Sequence, residues 1–416
     1  MTATRSLLDS LFFGLTAAAT IWVSAASSPA GASVLRGAAS PIKHVFVIVL
    51  ENEDFNTTFG AATKAPYLAR TLVARGVLLT QYFGTGHVSV GNYIAMISGQ
   101  AATPQIQLDC QVYADFTVTG TTADGQTIGS GCVYPSSIST LPDQLTAQGK
   151  TWRGYMEDMG NDLGRESATC GHPALNSPDL TQSAEGPSAA VPHGDQYATR
   201  HNPFAYFHSI IDSPICTSGV VNLDRLPRDL RSERSTPNFV FITPNLCNDG
   251  HDAPCKDGQP GGLVAADAFL RKWVPLILSS PAYRRDGLLI VTFDETEESG
   301  AQVGPTGAIT YSYTGQTCCS EQPGPNLAPF PQSVALGADT YSFQNFGGDR
   351  TGTILLSPFL KPGTISNTPF NHFSLLKSLE DIFGIHEYLG YAAQPGLVGF
   401  FDGLHSDISV KPVKRR

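Results

Sequence analysis

The sequence predicts an α/β fold with a mostly parallel central sheet flanked by helices and long disulfide-bearing loop insertions. Three observations point there. Five short runs rich in Val, Ile, Leu and Phe recur along the chain, helical segments lie between them, and two polar stretches hold six of the eight cysteines. Near-continuous apolar runs of this length suit strands buried on both faces, as in a parallel sheet covered by helices. Strands alternating with helices give the α/β order.

The expected strands, in order, are HVFVIVLEN (44–52), GVLLTQYF (76–83), NFVFITPN (238–245), GLLIVTFDE (287–295) and GTILLSP (352–358). APYLARTLVARG reads as a helix with Pro66 near its start and Gly76 at its end. LRKWVPLIL places Leu270, Trp273, Val274, Ile277 and Leu278 on one face. HFSLLKSLEDIFG repeats the pattern at Leu375, Leu376, Leu379, Ile382 and Phe383, stopped by Gly384. The stretches near 100–235 and 299–350 are rich in Gly, Ser, Thr, Pro and Asn and read as insertions in a single domain spanning 33–416. No internal repeat or coiled-coil heptad interrupts that reading.

A chain of 416 residues with 41% hydrophobic content can bury a sizeable core. Acids exceed bases by 36 to 26 and no Lys/Arg run occurs, so a nucleic-acid partner is not expected. Residues 1–32 read as a signal peptide: Arg5, an apolar stretch from Leu11 to Ala25, then small residues, with cleavage after Ala25 or Ala32. An uncleaved anchor is the alternative. No later segment has eighteen consecutive apolar residues, so the mature, secreted chain is expected to lack a membrane span. In an exported protein the eight cysteines read as disulfides. Cys247 and Cys255 are spaced to staple one loop, whereas the adjacent Cys318 and Cys319 are expected to bond to different partners.

Functional groups collect beyond the C-terminal ends of the strands in open α/β sheets. Here the first run delivers Glu51 and Asn52, and the fourth delivers Asp294 and Glu295. Carboxylates and a carboxamide from neighbouring strand ends make an oxygen-rich site for one divalent cation such as Mg, Ca or Mn. In GTGHVSVGNYIAMISG, His87, Ser89 and Asn92 crowd before an apolar run that begins a helix. A serine there sits among unpaired backbone N–H groups, which favour an ionised oxygen and a bound phosphate. His201 and Asn202 in YATRHNPFAYF, Asp249 and His251 in CNDGHD, and His372 in FNHFS complete the polar candidates. Phosphoryl transfer needs hydrogen-bond donors on the phosphate oxygens and an acid for the leaving oxygen, and histidines suit both tasks.

The ordered series VFVIVLENEDFNTTFG, GHVSVGNYIAMISG, TPNLCNDGHD, LLIVTFDE and NHFSLLKSLEDIFG resembles the phosphoesterase family of bacterial acid phosphatases and phospholipases C, over roughly residues 42 to 392. The resemblance implies an alkaline phosphatase-like fold. It also implies metal ligands Glu51, Asn52, Asp294 and Glu295, with Ser89 bridging metal and phosphorus as the nucleophile. NLCNDGHD looks closest to secreted mycobacterial-type acid phosphatases acting on phosphoinositides. The family commonly has HPSxPNY at the nucleophile, where this chain has Val88 and Gly91 in place of the prolines. It also has a His and glycines after the fourth block, where this chain has Thr296, Glu297 and Glu298.

The expected function is therefore a secreted, metal-dependent acid phosphatase hydrolysing phosphate monoesters of small molecules or lipid headgroups through a phosphoserine intermediate. His251 or His201 is the expected acid. A phospholipase C-type phosphodiesterase is the alternative, disfavoured because the chain ends soon after the fifth block. A non-catalytic secreted binding module is the second alternative, disfavoured because no ligand or nucleophile position is lost.

Overall fold

The computed structural model describes residues 40–403, so the signal peptide expected at 1–32 lies outside the described residues. The first six strands of the main sheet are β1 (His44–Leu50), β2 (Val77–Leu79), β3 (Trp152–Met156), β4 (Val220–Asn222), β5 (Phe239–Thr243) and β6 (Gly287–Phe293). Four more strands form a small separate sheet: β7 (Gly300–Val303), β8 (Ile309–Tyr313), β9 (Gln332–Leu336) and β10 (Asp339–Phe343). The chain then returns with β11 (Thr353–Leu356) and β12 (Thr364–Ser366). The main sheet has eight strands in the order β12-β2-β11-β6-β1-β5-β3-β4.

That sheet is mostly parallel, as expected, with one exception. β11, read from GTILLSP as one more parallel strand, runs antiparallel to both β2 and β6. The run 76–83 is broken by a turn at Thr80 and Gln81 into β2 and a two-residue strand, Tyr82–Phe83. The stretch 100–235 is more than loop, since it supplies β3 and β4 to one side of the sheet. Neither had stood out, because WRGYM and VVN are short and set among polar residues.

Alternate residues of β1 feed two cores. Val45, Val47 and Val49 pack with α1 (Ser89–Ser98) and with Leu375, Leu376 and Leu379, whereas Phe46, Ile48 and Leu50 pack with α2 (Gly262–Ser279). The residues predicted for α2 are buried except Leu278, which is half-buried, and the helix begins eight residues before the predicted segment. The third helix, α3 (His372–Phe383), ends at Gly384 in a left-handed conformation, the φ at which glycine carries no Cβ penalty. The segment after Pro66 coils as a π-helical turn, Tyr67–Leu72, before a short α-helical turn reaches Gly76. Each fully buried Val, Leu, Ile or Phe contributes roughly 1.5–3 kcal/mol, so both faces hold the sheet.

All eight cysteines are paired: Cys110–Cys132, Cys170–Cys216, Cys247–Cys255 and Cys318–Cys319. The third staples the predicted loop. The last corrects the expectation for the adjacent pair: the other six cysteines are spent on one another, and Cys318 and Cys319 close a ring within one turn, where Cys319 takes φ 64°. No helix among the described residues is long and apolar enough to cross a membrane.

Candidate functional site

β1 and β6 are parallel neighbours with Leu50 opposite Phe293. The residues that follow, Glu51–Asn52 and Asp294–Glu295, therefore emerge side by side at the C-terminal edge of the sheet. Glu51, Asp294 and Glu295 are buried. Asn52 has φ 37°, a left-handed conformation that asparagine tolerates better than most residues. It brings the Asn52 amide end within 3.2 Å of Glu51 Oε2 and 3.3 Å of Asp294 Oδ1, while its backbone N–H donates to Asp294 Oδ1 at 3.2 Å.

The loop before α1 presses against these strand ends. A Cβ on Gly84 would lie 2.6 Å from the Asp294 carbonyl oxygen, so the close approach requires glycine. Ser89 is the first residue of α1, and its Oγ donates to Glu51 Oε2 at 2.9 Å. One turn on, the Tyr93 hydroxyl donates to Glu51 Oε1. His201 stacks on Tyr93 and brings Nε2 to 3.3 Å from Glu51 Oε2. Two residues before Ser89, His87 bridges two acids: Nδ1 meets Glu295 Oε2, and Nε2 lies 3.0 Å from Asp349 Oδ2.

Burial and charge set the protonation pattern. Burial, then the Asp294 and Asp249 charges, push the Glu51 carboxyl well above its ordinary range. Burial likewise lifts Asp294 to about 6, and its Oδ2 has no hydrogen-bond partner among the described residues. Burial opposes the His87 charge, but Glu295 and Asp349 outweigh it and hold the imidazolium up to about 9. His201 goes the other way: burial, Arg200 and His251 push it well below its ordinary value.

The predicted residues thus divide. Glu51, Asn52, Ser89, Asp294 and His201 meet in one cluster, and Asp249 adjoins it with Oδ2 3.9 Å from His201 Nδ1. Glu295 turns instead to His87. Asn92 is spent on the loop, accepting from the Thr85 and Gly86 N–H groups and donating to the Gly86 carbonyl, so it shapes the approach to Ser89 instead of contacting a reactant. Two expected substrate contacts are framework groups. Asn202 donates to the Cys170 carbonyl and the Tyr197 hydroxyl, and both His372 nitrogens are taken, by the Tyr82 hydroxyl and the Asp294 carbonyl. His251 stands at the rim with its side chain 38% exposed and Nε2 3.7 Å from Glu297 Oε2. Burial, opposed by Asp252, lowers its pKa, so His251 and His201 are not poised as cations in the way the acid role had suggested.

Four further residues belong to the site. Tyr93 was legible, since four residues after Ser89 places it on the same helix face. Asp109, brought in by the Cys110–Cys132 loop, accepts the Val90 N–H at 2.9 Å, in the first turn of α1. Its other oxygen lies 3.4 Å from Arg200 Nε, which fixes a half-buried guanidinium beside the cluster. Arg200 adjoined a flagged histidine and carried the only cation in that motif. Asp349 accepts from His87, the Thr314 hydroxyl and the Gly315 and Gln316 N–H groups; nothing local in its sequence marks it.

Among the described residues, the trio of His, Cys, Asp or Glu groups lying within 4.8 Å of one another is Cys247, Cys255 and Asp257, and its two sulfurs are already bonded together. The groups at this edge of the sheet that could hold a hard cation are the Glu51 and Asp294 carboxylates with the neutral oxygens of Asn52 and Ser89.

Comparison with known proteins identifies relatives of this chain. A probable acid phosphatase from Kluyveromyces lactis is 26% identical over 280 residues, covering 67% of this chain and 53% of its own. A phosphatidylinositol-3-phosphatase from Mycobacterium tuberculosis is 23% identical over 349 residues, covering 84% of this chain and 79% of its own. The chain spans about half the length of the first curated relatives it matches. A solved protein of the alkaline phosphatase superfamily from Vibrio parahaemolyticus covers 84% of this chain and 68% of its own at 12% identity, with a TM-score of 0.43. The α/β architecture rests on the sheet itself and not on that likeness. The model of the phosphoesterase family matches residues 61–386, which takes in Ser89, Arg200, His201 and Asp294 but begins after Glu51 and Asn52. With most of its length inside that match, this chain belongs to the phosphoesterase family.

Proposed function

We propose that the protein hydrolyses phosphate monoesters, with Ser89 as nucleophile and a divalent cation held by Glu51, Asn52, Asp294 and Ser89 itself. The observation that carries this reading is the 2.9 Å hydrogen bond from Ser89 Oγ to Glu51 Oε2 in the first turn of a buried helix. It gives the hydroxyl proton an acceptor and sets the oxygen among backbone N–H groups that favour both an alkoxide and a phosphate. The donor set suits a hard cation: two buried carboxylates that repel each other, a carboxamide directed between them, and an Asp294 oxygen without another partner among the described residues. When bound, such a cation supplies the positive charge that lowers the serine pKa and offsets charge on the phosphate oxygens.

Ser89 Oγ attacks phosphorus as its proton passes to Glu51 Oε2; the Oγ–P bond forms and the P–O bond to the alcohol breaks. Water then cleaves the Oγ–P bond and restores the serine. Arg200, fixed by Asp109, offers a half-buried cation for the nonbridging oxygens. The leaving oxygen is released at the open rim beside His251 and takes its proton from water there. Phosphoinositides are a candidate substrate class, supported by the mycobacterial relative's name and its long shared span. Export of the chain is part of the same reading, supported by four disulfides, which persist in oxidising compartments.

The test is to quench turnover of p-nitrophenyl phosphate in acid and map the phosphorylated peptide. Label on Ser89 is expected, and phosphate release with label on another residue overturns the nucleophile. Phosphocholine released from phosphatidylcholine, with no inorganic phosphate from any monoester, would move the reading to a phosphodiesterase.

A further inference from the structure

The small sheet β7–β10 plays no part in the chemistry above, yet one of its faces leads into the site. β8 and β10 are parallel, with Tyr311 opposite Tyr341 and Tyr313 opposite Phe343. Side chains two apart share a face, so these four rings form one block. Tyr313 packs on Phe343 at 5.2 Å between ring centroids and on Tyr341 at 6.3 Å, and Tyr341 meets Tyr311 at 5.2 Å. The inner end touches the site directly: the His87 and Tyr313 rings lie 4.6 Å apart. The opposite face of the same strands is Thr310, Ser312, Thr340 and Ser342.

The aromatic face is closed at one end and open at the other. Tyr313 and Phe343 are buried, whereas Tyr311 and Tyr341 keep part of their surface in solvent. Tyrosines stacked on a sheet without full cover leave π-faces available to a planar group. Burial, then the Tyr311 and Asp109 charges, raise the Tyr341 hydroxyl, and Arg200 draws it back, so this ring lies within electrostatic reach of the foot of α1.

We infer that Tyr311 and Tyr341, backed by the buried Tyr313, form the leaving-group subsite, which selects phosphate monoesters whose alcohol carries a ring. The subsite rests on the phosphoesterase reading above. His87 lies two residues before Ser89, so the row of rings starts beside the position that a phosphate on Ser89 would take. Small aliphatic esters reach the phosphate site but have nothing to stack on.

Binding of nonhydrolysable phosphonates separates the subsite from catalysis. The full chain, supplied with a divalent cation, is titrated calorimetrically with phenylphosphonate and with methylphosphonate. Wild type is expected to prefer phenylphosphonate by about tenfold, the scale of one to two aromatic contacts. Tyr341→Ala should cut that ratio at least about threefold, Tyr341→Phe should keep it, and Thr340→Ala on the opposite face should leave it unchanged. Tyr311→Ala, at the open end, gives the same reading if Tyr341→Ala does not fold. Equal affinities in wild type, or an unchanged ratio in both alanine variants, overturns the subsite. A clear preference in a protein that releases no phosphate from any ester keeps the subsite and overturns the catalytic reading. Binding of neither phosphonate overturns both.

Discussion

Glu51 and Glu295 leave adjacent strands at the same edge of the sheet, are equally buried, and reach the same loop, but they meet different partners. Glu51 receives the hydroxyls of Ser89 and Tyr93 and has the acids Asp294 and Asp249 for neighbours. Glu295 receives His87, whose second nitrogen is held by Asp349. Burying a carboxylate is costly without a compensating charge. At Glu295 the fold supplies a counter-charge itself, the His87 imidazolium, which draws the carboxyl back although burial still holds it up to about 8. At Glu51 it supplies neutral donors and more negative charge, which leaves a place for a cation from outside. Glu380 in α3 shows a third solution: buried away from the site and accepting the Leu389 N–H, its carboxyl is pushed up by burial to about 8 and keeps its proton.

Five substitutions sharpen or break this contrast. Ser89→Ala should leave a folded protein with phosphate release lower by roughly three orders of magnitude or more, the scale of a lost nucleophile in a concerted site. A variant keeping more than about a tenth of the wild-type rate would remove Ser89 from the chemistry and Glu51 from its side.

His87→Gln should destabilise the fold by about 3–5 kcal/mol, because it leaves Glu295 and Asp349 facing each other without the charge between them. Urea denaturation measures this. A loss under about 1 kcal/mol would mean that Glu295 is not held by the imidazolium.

Metal content separates the two acids most directly. After dialysis against a chelator and reloading with Mg, Ca or Mn, Glu51→Gln should bind the cation at least about tenfold more weakly, having lost an anionic ligand. Glu295→Gln should change metal affinity much less. Equal losses by elemental analysis would return Glu295 to the ligand set and dissolve the comparison.

Glu380→Gln tests the third solution. The folded carboxyl titrates near 8, above its ordinary 4.5, so the folded protein binds this proton more tightly than the unfolded one. Its contribution is present below about 4.5 and is lost as pH rises toward 8. The glutamine variant should therefore gain on wild type between pH 5 and pH 8.5, by up to about 3 kcal/mol. Parallel stability profiles for the two proteins would show an ionised Glu380.

Much of this was legible because strand pattern and strand-end chemistry are local. The continuous runs from His44 to Leu50 and from Gly287 to Phe293 announce doubly buried strands, and acids directly after them fall at the functional edge whatever the loops do. Ser89 followed by an apolar run announces a helix N-terminus. The antiparallel β11 was not legible, because a buried run reads the same in either direction. The short strands β3 and β4 were hidden among polar residues for a related reason: their burial comes from neighbours far away in sequence.

The sequence by itself determined the α/β order, the strands that carry Glu51, Asn52, Asp294 and Glu295, and the helix that begins at Ser89. Only the tertiary structure decided which acid meets which partner. Asp349 reaches His87 across 262 residues, Asp109 reaches Arg200 through a disulfide-tied loop, and both His372 nitrogens are consumed inside the fold. A side chain's protonation and availability depend on the charges and donors packed within a few ångströms of it. Those neighbours come from distant segments, so no local pattern records them.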